Sequence, residues 1–142
     1  MKRLACLLGS LLVLAAVSPT RAVAADAPKK DLEIVILDEM IRPSPAHVAE
    51  GGTVAFNNDA TSFAAVTFSR AIVKDLECKD ARPDWSYGAD ALISMPLSGD
   101  APNLVLPCAL KKGKYPFKVR YFDRPENIDN PQRTNDGTLI VE

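Results

Sequence analysis

The sequence predicts an all-β protein, a sandwich of short strands. Apolar and polar residues alternate in short runs, turn-forming clusters separate these runs, and helical apolar spacing occurs in only one place. Leu32, Ile34 and Ile36 alternate with Glu33, Val35 and Leu37, which predicts a first strand with one strongly buried face. Arg42-Pro43-Ser44-Pro45 then breaks the pattern, because two prolines allow an extended edge but no helix. His47 to Glu50 leads to Gly51-Gly52, read as a turn, and Thr53 to Phe56 forms a β-rich run. Asn57-Asn58-Asp59 closes that run, since short polar side chains bond the local backbone and favour turns. Ala64 to Phe68 is a further strand, with Val66 and Phe68 on one face.

Residues 69–91 are the least regular part. Ile72, Val73 and Leu76 fall at helical spacing, so a short helix is predicted between Ala71 and Cys78. Arg82 to Gly88 reads as a loop, making the whole stretch around 70–91 one short helix or irregular insertion. Leu92 to Leu97 and Leu104 to Cys108 are apolar runs flanking the turn Ser98 to Asn103. After a turn at Lys111 to Lys114, Tyr115, Phe117, Val119 and Tyr121 alternate with Pro116, Lys118 and Arg120, a good strand pattern. Asp123 to Asp136 is polar and is read as a long loop, and Gly137 to Val141 closes the chain as a strand. About seven short strands with frequent turns point to an antiparallel sandwich.

The first residues have another purpose. Lys2 and Arg3 precede an apolar run from Leu4 to Val17, Pro19 breaks it, and Ala22-Val23-Ala24 follows. That layout predicts a secretory signal peptide over residues 1–24 and an exported domain over 25–142, with no membrane span left after cleavage. Removing 24 residues from 142 leaves 118, and losing Lys2, Arg3 and Arg21 takes the net charge from −1 to −4. Such a mildly acidic domain lacks the footprint of a nucleic-acid binder. Cys6 lies in the leader, leaving Cys78 and Cys108. In an oxidising compartment a structural disulfide is expected, while their wide spacing is unlike a C-x-x-C metal or redox motif. One histidine in the whole chain excludes any site needing two imidazoles.

The order of these pieces resembles a known family. Pro45 to Asp59, with its strand, glycines, Thr53-Val54-Ala55-Phe56 strand and Asn-rich corner, resembles the plastocyanin/azurin-like cupredoxins. Leu97-Ser98-Gly99, Lys112 to Val119 and the closing Gly137-Thr138-Leu139-Ile140-Val141 continue the likeness, which spans about Leu32 to Glu142. It implies a cupredoxin-like Greek-key β-sandwich. It also implies where a type 1 copper centre would sit, which needs two imidazoles, a thiolate and a weak axial ligand. The first histidine's place, just after Asn57-Asn58-Asp59, falls on Phe63 or Ala64. The cysteine's place falls near Val119 or Tyr121, and Asp123 to Asp136 holds neither histidine nor methionine. No metal site is therefore expected, with His47 the one weak candidate ligand. Copper on non-standard or partner-supplied ligands is the alternative.

Other chemistry is thinly represented. Met40 and Met95 are isolated, and the acidic loop residues Asp123, Glu126, Asp129 and Asp136 lack the closely alternating oxygen ligands of an EF-hand. Asp84, Trp85 and Tyr87 form a candidate carbohydrate- or peptide-binding patch, or an aromatic plug at one end of the sandwich. There is no phosphate-binding glycine loop, metalloprotease helix or nucleophile elbow. The resulting expectation is a periplasmic or secreted, non-catalytic module with no cofactor and a periplasmic protein partner.

Overall fold

A computed structural model describes residues 29–74, 77–78 and 83–142. The predicted leader lies outside the described residues. Among the described residues, eleven strands are arranged as β1 (Lys29–Ile36), β2 (Ile41–Arg42), β3 (Ala46–Asn58), β4 (Phe63–Ser69), β5 (Glu77–Cys78), β6 (Trp85–Tyr87), β7 (Ala91–Ser94), β8 (Leu104–Val105), β9 (Cys108–Ala109), β10 (Gly113–Phe122) and β11 (Arg133–Val141). A four-residue helix, α1 (Arg70–Val73), follows β4, and one 3-10 turn spans Pro125–Asn127. The all-β sandwich expected from the sequence is the observed fold.

Its strand path runs β2-β1-β3-β11-β10-β4-β7-β6, with β8 added to β3 and β5 paired separately with β9. The thirteen-residue β3 links the two layers. Its first part lies parallel to the end of β11, pairing Ala46 with Leu139 and Val48 with Val141. Its second part lies parallel to β1, pairing Thr53 with Asp31 and Asn58 with Ile36. Gly51-Gly52 sits between these parts, and Gly51 takes a positive φ of 72°, where a Cβ would be strained. The glycines thus bend one strand rather than separating two. The two parallel pairings also make the sheet mixed, where a wholly antiparallel one was predicted. Alternation along a strand reports which residues face inward and is silent on the direction of its neighbours.

The core fills from both layers. Phe56 of β3 packs edge-on against Phe117 of β10 with ring centroids 5.5 Å apart, and also meets Phe68 and Trp85 at 6.4 Å. Burying each such side chain contributes about 1.5–3 kcal/mol. Gly137 opposes Phe117 in register, and the ring lies where a Cβ would stand, 2.3 Å away. Only glycine fits there.

Three further expectations change. The helix between Ala71 and Cys78 shrinks to Arg70–Val73, and Cys78 lies instead on β5. The loop over Arg82 to Gly88 contains β6, because Trp85 is drawn inside and carries its neighbours into register with β7. The long loop ends at Gln132, since β11 begins at Arg133 and pairs with β10 from Tyr121 onward. No helix of the described residues is long and apolar enough to cross a membrane.

Candidate functional site

The end of the sandwich where β10 finishes and β4 begins is where the resemblance would place a metal. Val119 pairs with Val66 on β4 and with Asn135 on β11, while Tyr121 pairs with Ala64 and Arg133. Val119, Ala64 and Val66 are wholly buried, Tyr121 nearly so, and Phe63 is half-buried. Strand alternation aims Val119 and Tyr121 inward, so packed hydrocarbon and one phenol fill this end. The Tyr121 hydroxyl donates to the Leu37 carbonyl at 2.9 Å and accepts from Asn135 Nδ2 at 3.1 Å. The Arg133 guanidinium stacks over its ring, 4.3 Å from the centroid. Burial pushes the phenol's pKa up, against the lowering effects of Asn135 and Arg133. Val119 and Ala64 offer copper neither nitrogen nor sulfur, and the phenol is committed elsewhere. The side chains here do not fit a type 1 centre.

A buried amide holds this end in shape. Asn58 is 3% exposed, donates to the carbonyls of Ser62 and Leu97 at 2.9 and 2.8 Å, and accepts from the Ala60 N–H at 3.1 Å. It thereby ties the corner after β3 to Leu97, which exchanges two backbone bonds with Ala64. Sequence reasoning saw only a turn-forming cluster here. The missed signal was parity, because Asn58 follows Val54 and Phe56 at period two and so shares their inward face. Beside it, Asp38 accepts from both the N–H and the hydroxyl of Thr61 at 2.9 Å, and those bonds hold its carboxyl below the usual range. Asp38, Glu39, Thr61, Tyr121 and Arg133 border an open cavity of about 450 Å³.

The acidic loop closes on itself. Asp123 accepts from Asn127 Nδ2 at 2.7 Å, which lowers its pKa, and Gln132 N–H returns to the Tyr121 carbonyl at 2.9 Å. Arg120 donates to the Ile128 carbonyl and lies over the Phe122 ring, so the loop is drawn onto the outer face of β10. Asp123, Glu126 and Asp129 are exposed, and no three histidine, cysteine or carboxylate side chains converge on a metal-sized point among the described residues.

The remaining candidates are scattered. His47 pairs in register with Ile140, seven residues from Arg133 along β11, about 23 Å at the usual strand rise. Its Nδ1 lies 2.6 Å from the Glu142 carboxylate, with both side chains about half exposed (48% and 49%). Trp85 is 3% exposed, donates its indole N–H to the Val105 carbonyl at 2.9 Å and joins the aromatic core. It plugs the interior, while Tyr87 is exposed and Asp84 half-buried. Met40 and Met95 are exposed, and Met40 accepts from Arg42. Cys78 and Cys108 oppose each other in register and are joined by a disulfide.

No family model matches the sequence, and no curated protein matches it significantly. Among solved structures, the chain is similar to the crystal structure of Na-dithionite reduced auracyanin from the photosynthetic bacterium Roseiflexus castenholzii. The two share 16% identity and a TM-score of 0.47, over 82% of this chain and 99% of that one.

Proposed function

We propose that this chain is an exported, non-catalytic cupredoxin-like module without a type 1 copper centre, acting as a periplasmic accessory to a redox or metal-handling partner. One observation carries the reading. The positions that the resemblance assigns to copper ligands hold side chains that complete a packed interior, Val119 and Ala64 both being 0% exposed. The only imidazole lies toward the other end of β11, paired with Glu142. The disulfide between Cys78 and Cys108 is in keeping with an oxidising compartment.

Copper titration of the purified protein tests the metal part of this reading. The expected result is no intense thiolate-to-copper absorption and no tight stoichiometric binding. An intense band, or one tightly bound copper per chain lost in His47→Ala, would sink it in favour of a copper carrier. Export is checked separately by the N-terminal sequence of secreted protein, expected to begin at Ala25.

A further inference from the structure

The outer face of the sheet carries a cleft whose origin is visible in the ladders. Pairing of β10 with β11 continues through Pro116 and Thr138. Pairing of β10 with β4 stops short of Pro116, at Lys118 opposite Thr67. Proline brings no N–H to a ladder, so a partner strand following β10 further would lose a hydrogen bond there. Beyond that point β4 turns off through Ser69 into α1. The space left between the helix and the sheet is a cavity of about 420 Å³, walled by Ile72, Ala91, Pro116 and Thr138 with Thr67 also in its lining. That volume lies within the range of small-molecule sites, and its walls are mainly apolar.

Two observations narrow the occupant. The charges at the margin sum to zero: Lys118 pairs with Asp136 at 2.7 Å, and the Asp90 carboxylate is offset by Arg70, which binds the backbone of the same turn. Arg70 donates through its backbone N–H to the Asp90 carbonyl and through Nη1 to the Ala89 carbonyl. A margin without net charge gives no preference for an ion. The Thr67 hydroxyl, in turn, is the one buried side-chain polar atom without a hydrogen-bond partner among the described residues. Leaving such a group unpaired is costly, and a turn about χ1 exchanges it with the methyl group.

We infer that the Pro116 cleft binds a small, neutral, mainly apolar molecule carrying one hydrogen-bonding group, which reaches the Thr67 hydroxyl. The inference does not rest on the proposal about copper.

N-phenyl-1-naphthylamine, a neutral two-part aromatic with a single N–H, is a suitable probe for fluorescence titration of the purified protein. Saturable enhancement at one probe per chain is expected. Thr138→Trp fills the cleft from its exposed side and should weaken binding at least about tenfold. Thr67→Val keeps the shape, removes the hydroxyl and should weaken it about fivefold, the worth of one ordinary hydrogen bond. Far-UV circular dichroism checks that each variant is folded, and Ile72→Ser reads the opposite wall should Thr138→Trp not fold. The sulfonated analogue 8-anilino-1-naphthalenesulfonate should bind more weakly than the neutral probe. No saturable signal would overturn the inference, as expected of a cleft that receives only a partner protein's side chain. Unchanged affinity in the folded wall variants would overturn the location, and equal affinity in Thr67→Val would overturn the role of the hydroxyl. Tighter binding of the sulfonate would overturn the neutral ligand class.

Discussion

The two faces of β10 come from one stretch of alternating sequence, yet they meet different fates. Inward, Tyr115, Phe117, Val119 and Tyr121 are all buried, and three meet a fixed partner: Tyr115 donates to the Lys111 carbonyl, Phe117 fits over Gly137, and Tyr121 bonds Leu37 and Asn135. Outward, the same strand changes character along its length. Near Arg120 and Phe122 the loop after β10 covers it, through the bond from Arg120 to Ile128. At Pro116 nothing continues the β4 ladder, and the face opens into a cleft. A packed face has no room for a ligand, and an open one contributes little to stability. The comparison therefore separates what keeps this protein folded from what it has available to bind with.

The sharpest way to break that contrast is at Phe117. Phe117→Ala removes a ring packed 5.5 Å from both Phe56 and Phe68, and a cost of about 3–5 kcal/mol is expected in urea unfolding. A loss under about 1 kcal/mol would mean that the interior is loosely packed, and the two faces would not differ as described. Tyr121→Phe tests the polar end of the same inner face. It keeps the ring under Arg133, leaves the Leu37 carbonyl without its donor and should cost about 1 kcal/mol. The smallest effect belongs to the outer face. The Lys118–Asp136 pair has side chains 60% and 80% exposed, so Lys118→Ala should change stability by less than about 1 kcal/mol. A larger loss there, measured in the same unfolding series, would show the outer face to be structural.

Much of the inner face was legible without the structure. Period-two alternation marked Leu32, Ile34 and Ile36, Val66 and Phe68, and the Tyr115 to Tyr121 set, and all are buried. The disulfide followed from an even cysteine count once the first residues were set aside as a predicted leader. Other features were hidden for physical reasons. Asn58 was read as a turn former because its polarity outweighed its inward parity, although three hydrogen bonds make burial tolerable. Trp85 sits in an irregular polar stretch, and whether an aromatic there plugs a core or lines a groove depends on what lies opposite, here Phe56, Phe68 and the Val105 carbonyl. The helical spacing of Ile72, Val73 and Leu76 suggested a longer helix than Arg70–Val73, a length at which an isolated helix has little stability of its own.

By itself, the sequence determined the all-β class, the inward residues of the main strands and the residue types standing where a family resemblance would put copper ligands. Those are properties of composition and local period, which every chain carries before it folds. The tertiary structure decided which strands run parallel, that β3 serves both layers, that His47 sits with Glu142 rather than at the Tyr121 end, and that a cleft opens beside Pro116. Each of these depends on contacts between residues far apart in the chain. Local alternation assigns a side chain to a face but leaves open what that face will meet.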